Sequence, residues 1–150
     1  MNSGIRLKMQ GFEMIPENKR IPSDLEDIPV VQQLSEELWN HLERNFPLWE
    51  ANYPDLTWLH TESGPYPRKL VFQDVLGKPY LVIVSEMGSL TLRPDFGKKQ
   101  SIFYMSLGKY PPDAFRWEDE NGNPIAISEL PLCFLKAIQR LRSYTAETES

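Results

Sequence analysis

The sequence predicts an α+β domain, in which an antiparallel meander sheet of about four to six strands is combined with an N-terminal and a C-terminal amphipathic helix. Three observations lead to this class. Apolar residues recur at helical spacing near both ends of the chain, short runs in the middle have strand-like composition, and single glycines separate those runs. Short connections join antiparallel neighbours, and we expect both helices to pack on one face of the sheet.

The N-terminal part divides into an arm and a helix. Residues 1–27 show no sustained period and are expected to form a partly ordered arm, in which "IRLKM" alternates like a short strand. A helix is predicted at 29–46. Pro29 suits its first position and Pro47 is expected to end it. Its apolar stripe comprises Val31, Leu34, Leu38, Leu42 and Phe46.

The central part predicts packed aromatic residues followed by strands. Residues 47–67 contain four prolines, two tryptophans and two tyrosines, and "LTWLH" is read as a short strand. A structureless stretch of this length is unusual in a compact domain, which indicates that it is packed. Four strands are then predicted at "KLVFQDV", "PYLVIVS", "SLTLR" and "SIFYMSL".

The C-terminal part predicts a hairpin and a second helix. In "FRWEDENGNPIAI", Asn121-Gly122 supplies residues that tolerate a tight turn. Ser128 is expected to cap the last helix, whose apolar face includes Leu130, Phe134 and Leu141. Residues 28–146 therefore form one domain, and the polar tail at 147–150 is expected to fray.

Composition narrows the classes of function. The net charge of -5 and the pI of about 5.1 oppose a dedicated nucleic-acid binder or a protein of anionic membrane surfaces. No apolar run approaches the ~18 residues of a membrane span. The only cysteine, Cys133, excludes an intrachain disulfide, and we expect a cytoplasmic protein.

Cofactor and metal motifs are not found in the sequence. His41, His60 and Cys133 are the only histidines and cysteine, and they occur in neither an HExxH nor a CxxC pattern. The glycines are single turn residues, which opposes a phosphate-binding loop. We therefore predict neither a cofactor nor a metal.

One polar segment raises the question of catalysis. The stretch "LHTESGP" places His60, Glu62 and Ser63 close together. In an extended chain His60 and Glu62 point the same way, whereas Ser63 faces the opposite side and fits local turn chemistry. A small hydrolase that uses His60 and Glu62 is one alternative. A weaker one is a paired-carboxylate glycosidase with candidates Glu62, Asp74 and Glu86.

The favoured hypothesis is a non-catalytic protein-binding module of the adaptor, chaperone or inhibitor kind. Tyrosine and tryptophan are enriched at interfaces. Leu132 and Leu135 are expected on the side of the last helix opposite Phe134, so a homodimer through this helix is also open. A nucleic-acid-associated regulator using Arg93, Lys98 and Lys99 is a weaker alternative. The candidate partner-binding residues are Trp49, Tyr53, Trp58, Tyr66, Leu132 and Leu135.

Overall fold

The computed structural model describes the backbone of residues 25–149 and the side chains through residue 144. Along the chain, six strands lie between an N-terminal and a C-terminal helix, and a single 3-10 turn precedes each helix. The elements are α1 Ile28–Trp49, β1 Thr57–Glu62, β2 Arg68–Gln73, β3 Pro79–Ser85, β4 Ser89–Pro94, β5 Phe103–Tyr110, β6 Ala114–Asp119 and α2 Leu130–Glu149. Residues 1–24 of the predicted arm at 1–27, including the strand "IRLKM", lie outside the described residues, and its last three residues form the 3-10 turn Leu25–Asp27.

The six strands form one antiparallel sheet in the order β1-β2-β3-β4-β5-β6. Every strand therefore pairs with its neighbour in the chain, which confirms the α+β class and the meander. Gly88 shows why single glycines connect the strands. Its φ is +83°, and a Cβ at this position would lie 2.7 Å from Leu107 Cδ1. The β3–β4 turn can thus pack tightly only with glycine.

The core contains side chains from both helices and from one face of the sheet. Phe46 of α1 and Phe134 of α2 both lie against Phe72 of β2, with ring centroids 5.0 and 6.3 Å apart. Cross-strand partners in the register share this buried face. The buried strand residues are Leu70, Phe72, Tyr80, Val82, Val84, Leu90, Leu92, Phe103, Met105, Leu107 and Trp117.

Helix α1 extends further than expected. Pro29 lies at its start, as predicted, but Pro47 does not end it, because the helix continues to Trp49. Phe46 is fully buried, and the Trp49 ring lies 4.6 Å from the Phe46 ring. Packing of these two rings on the core holds the last turn in helical form despite the missing N–H of Pro47.

The predicted hairpin at the end of the sheet is only half correct. The turn at Gly122 has the expected positive φ of 84°, but only the first arm becomes a strand, β6. The segment after the turn forms no second strand and has only an isolated bridge, between Glu118 and Pro124. Pro124 follows the turn directly and cannot donate to a ladder, which opposes a second strand there.

The start of α2 also differs from expectation. Ser128 does not cap the helix; instead the Glu129 carboxylate accepts the Ala126 N–H at 2.9 Å, at the 3-10 turn Ile127–Glu129. The tail expected to fray from residue 147 continues as helix to Glu149. It contains neither Gly nor Pro and includes two glutamates, which favour helix. No described helix has the length and hydrophobicity to cross a membrane.

Candidate functional site

The histidine and carboxylate of the polar segment lie together on the edge strand β1. His60 Nε2 is 3.5 Å from Glu62 Oε2, and the two side chains are 57% and 59% exposed. Neither lines any of the three cavities described below. Ser63 donates its hydroxyl proton to Glu43 Oε2 of α1 at 2.5 Å, so this proton does not serve the local turn expected from the sequence.

The other two candidate carboxylates lie far from each other. Asp74 follows β2 and Glu86 follows β3, so the seven residues of β3 separate them. At ~3.3 Å per residue this is roughly 23 Å, well beyond the spacing of a glycosidase pair. Glu86 is exposed and accepts a hydrogen bond from Gln32 of α1 at 3.3 Å.

Asp74 instead belongs to a charged cluster that fastens α2. Arg142 Nη2 lies 2.8 Å from Asp55 Oδ1 and 3.0 Å from Asp74 Oδ2, and the Tyr80 hydroxyl donates to Asp74 at 3.0 Å. The Arg142 hydrogen bond lowers the pKa of Asp55 despite its burial. Burial of Asp74 opposes ionisation, but hydrogen bonds from the Lys78 N–H, Arg142 and Tyr80 outweigh it and lower its pKa.

Tyr66 belongs to a second cluster that fastens α1. Its hydroxyl donates to Glu36 Oε1 at 2.9 Å, and the Arg68 guanidinium lies 4.3 Å from its ring centroid and 3.2 Å from the same carboxylate. Burial, together with the hydrogen bond to Glu36, raises the pKa of Tyr66 to about 12. The Tyr66 hydroxyl and ring therefore make their contacts within the chain.

The remaining aromatic candidates of this region are mostly packed. Trp49 and Tyr53 are half-buried against the core, and Trp49 also lies edge-on to Phe134 with ring centroids 6.3 Å apart. Trp58 is the exposed member, and its indole N–H donates to Thr61 Oγ1 at 2.7 Å. Of the aromatic candidates in this segment, Trp58 is the one left exposed to a partner.

The two leucines of α2 have different environments. Leu135 is half-buried and packs on the core, whereas Leu132 is 52% exposed. Leu132 lines a cavity of about 510 Å³ between α2, β5 and the β6–α2 loop. The other side chains at its wall include Tyr104, Asp119, Ile125, Cys133, Lys136 and Arg140.

Two further cavities continue along the same helix. The second is a shallow, open depression formed by side chains of α2 alone; it shares Lys136 and Arg140 with the first and adds Tyr144. The third, of about 490 Å³, shares Tyr144 and lies between α2 and the β4–β5 loop. We call the row of three cavities the α2 surface. Tyr144, at the junction of the last two, is 68% exposed.

The basic residues proposed for nucleic acid divide between two environments. Lys98 and Lys99 border the third cavity together with Lys78 from the β2–β3 loop. Arg93 lies in β4 and pairs with Asp95 at 3.7 Å, and Asp95 also lies 3.6 Å from Lys99. Two of the three candidates therefore lie on the α2 surface.

The remaining nucleophile and base candidates lie apart. Cys133 lines the first cavity, and burial raises the pKa of its thiol. His41 lies on α1, where its Nδ1 is 3.3 Å from the Asn45 amide nitrogen and burial lowers its pKa. Among the described residues, no group of three or more His, Cys, Asp or Glu side chains could hold a metal ion.

Sequence reasoning missed most of the α2 surface, although one signal was present. Alternate connections of a meander lie at the same end of the sheet, so the β2–β3 loop, the β4–β5 loop and the segment after β6 must be neighbours. That rule places Lys78 beside Lys98 and Lys99. Tyr144 could not be placed this way, because its position depends on the direction of α2 across the sheet.

Compared with known proteins, the chain matches no family model, no curated protein and no solved structure.

Proposed function

We propose that this chain is a protein-binding module whose partner docks on the α2 surface. The observation that carries the proposal is the continuous row of three cavities along one helix, with Leu132 and Tyr144 exposed on it. Interfaces are centred on apolar and aromatic side chains surrounded by polar ones, and this row has that composition. The single cysteine is in keeping with a reducing compartment such as the cytoplasm.

The packing of the other aromatic candidates supports this choice of surface. Trp49, Tyr53 and Tyr66 contribute to the core or to intrachain hydrogen bonds, so their area is already used for folding. Leu132 has no comparable use within the described residues. Docking would bury the exposed half of this side chain; complete burial of a leucine contributes roughly 1.5–3 kcal/mol, so about half of that is available here.

Site-specific photo-crosslinking tests the proposal. A benzophenone amino acid is placed at position 132 and, in a matched control, at position 48 on α1, where Leu48 is 69% exposed. In cells of the source organism we expect a defined crosslinked protein from position 132 and none from position 48. The same products in equal yield from both positions would contradict docking on α2.

The same experiment separates a foreign partner from a second copy. A crosslink between two identical chains identifies a homodimer, which light scattering on the purified protein then measures directly. In that case Leu132→Asp converts the dimer to a monomer, whereas Leu48→Asp leaves the mass unchanged. Leu135→Asp is unsuitable, because Leu135 packs on the core and its replacement would reduce stability.

A further inference from the structure

We propose that the third cavity of the α2 surface recognises an acidic, apolar peptide segment. In this mode an apolar side chain enters the cavity and flanking carboxylates meet the surrounding lysines. The inference rests on the proposed function and adds the chemistry of the partner. We call this cavity the lysine-rimmed pocket; it is bordered by Lys78, Lys98 and Lys99 and lined by Phe96, Ile102, Leu141 and Tyr144.

The inner wall of the pocket is apolar and firmly positioned. Ile102 and Leu141 are half-buried and pack on the core, and Phe96 meets Tyr80 edge-on at 5.6 Å between ring centroids. The Ile102 N–H donates to the Leu92 carbonyl at 2.8 Å, which ties the loop to β4. A cavity of about 490 Å³ with such walls is within the range that accommodates small ligands and anchoring side chains.

The rim of the pocket carries an excess of positive charge in an acidic protein. Lys78 and Lys98 are exposed, and neither ammonium group has a carboxylate within ion-pair distance among the described residues. Lys99 has Asp95 at 3.6 Å, and Asp95 also neighbours Arg93. The nearby carboxylate of Asp74 is directed inward to Arg142 and Tyr80.

Charge segregation of this kind selects partners. The whole chain has a net charge of -5, which opposes the approach of an acidic protein at long range. At the lysine-rimmed pocket three ammonium groups outnumber the one neighbouring carboxylate, Asp95. A negatively charged partner is therefore attracted to this part of the surface. Complementary charge around an apolar anchor increases the association rate and excludes partners of the wrong sign.

The surroundings of Phe96 favour a peptide over a nucleic acid. Single strands bind by stacking bases on open aromatic faces beside a basic groove. The Lys78 ammonium lies 4.9 Å from the Phe96 ring centroid, and Tyr80 meets the same residue edge-on, so Phe96 is not an open platform. The lysine stems instead extend the apolar wall, as amphipathic side chains commonly do.

Fluorescence anisotropy with defined peptides tests the inference. The probe is a labelled peptide with Leu-Phe flanked on each side by three Glu. Two comparison peptides replace every Glu by Gln or by Lys, and a labelled oligothymidine represents nucleic acid. We expect binding of the Glu peptide that weakens as salt is raised, and much weaker binding of the Gln and Lys peptides, because exposed charges are screened by salt.

Charge-reversal variants locate the site. Lys78→Glu/Lys98→Glu should weaken the Glu peptide by at least about tenfold, since attraction becomes repulsion at both positions. The matched control Arg44→Glu/Lys69→Glu makes the same change in net charge on α1 and β2, and should alter the affinity by less than about twofold if the charge contacts are local. Thermal denaturation of both variants confirms that they are folded.

Several outcomes would overturn the inference. These are equal binding of the Glu and Gln peptides, equal losses in the two charge-reversal variants, tighter binding of oligothymidine than of the Glu peptide, or no binding of the Glu peptide at millimolar concentration. None of them affects crosslinking at position 132, which lies in the first cavity. Failure of the peptide chemistry and failure of α2 docking are therefore distinguishable.

Discussion

The two ends of the sheet are closed by different helices and in different ways. At one end, α1 passes the loops after β5, β3 and β1, and forms a polar contact with each region. Along this path Asp27 pairs with Lys109 at 2.9 Å, Gln32 bonds Glu86, Glu36 bonds Tyr66, and Glu43 bonds Ser63. At the other end, α2 is fastened to the loops by Arg142, through Asp55 and Asp74.

The difference lies in what remains on the surface. Gln32, Glu36 and Glu43 of α1 each have a polar partner in the loops at one end of the sheet, which we call the closed end. On α2 the ion pairs are made by Arg142 alone, and the three cavities follow the exposed side of the same helix from Leu132 to Tyr144. Two amphipathic helices of similar length therefore make their polar contacts in different ways, α1 through several side chains spread along the helix and α2 through Arg142.

The closed end should be the more costly to break. Lys109 and Asp27 are both buried, and Lys109→Met leaves the Asp27 carboxylate buried beside an apolar side chain. We expect the free energy of unfolding to fall by about 3–5 kcal/mol, measured by urea denaturation. Adding Asp27→Asn should regain part of this loss, whereas the exposed control Lys99→Met should change it by less than about 0.5 kcal/mol. A loss in Lys109→Met no larger than in the control would show that the pair does not hold α1.

At the α2 end the expected effect is smaller and depends on pH. Asp55 and Asp74 have lowered pKa values when folded, so their contribution is present above the unfolded carboxyl pKa of about 3.9 and is lost as pH falls through the lower folded values. Arg142→Gln should cost about 2 kcal/mol at pH 7, the size of a charged hydrogen bond. Because the variant loses part of the pKa depression, its difference from the wild type should narrow below pH 4.

Urea denaturation at a series of pH values measures this effect. Arg140→Gln is the matched control, since Arg140 lies on the same helix and lines the open cavities. It should be close to the wild type at every pH. A constant difference between Arg142→Gln and the wild type from pH 7 to pH 3 would mean that the carboxylates do not act through Arg142.

The smallest expected effect concerns a single hydroxyl at the α1 end. Tyr66→Phe removes the hydrogen bond to Glu36, while Arg68 remains as a partner of that carboxylate. We expect a loss of about 1 kcal/mol by thermal or urea denaturation. Tyr104→Phe, on an exposed tyrosine of β5, is the control and should change stability by less than about 0.5 kcal/mol. Equal effects in the two variants would show that the hydrogen bond from Tyr66 to Glu36 does not help to hold α1 on the sheet.

The fold was largely predictable because its signals are local. Alternating residues and single glycines define a meander one turn at a time, and the strand "PYLVIVS" has the predicted bounds. The error at Pro47 arose where core packing outweighs a local preference, because Phe46 and Trp49 pack on the core and hold the helix past Pro47. At Ser128 another local contact is made instead, the bond from the Ala126 N–H to Glu129.

The candidate site was less predictable because its parts are far apart in the chain. Leu132 was selected from the helical period alone, and its exposure agrees with that placement. Lys78 and Tyr144 become neighbours of one pocket only through the loops at one end of the sheet and the direction of α2. In the same way, Tyr66 was selected as a surface aromatic because its Glu36 partner lies 30 residues earlier in the chain.

The open meander leaves β1 and β6 as the edges of the sheet formed by the described residues, and unpaired edges invite another strand to add to them. On β1 the register shifts between Trp58 and His60, and the charged Glu62 follows. A bulge and charged side chains are both devices that discourage edge-to-edge aggregation. On β6 the bridge to Pro124 covers part of the edge with a residue that has no N–H to offer. The segment that first suggested a catalyst thus has features that help keep separate copies of the chain from joining into a continuous sheet.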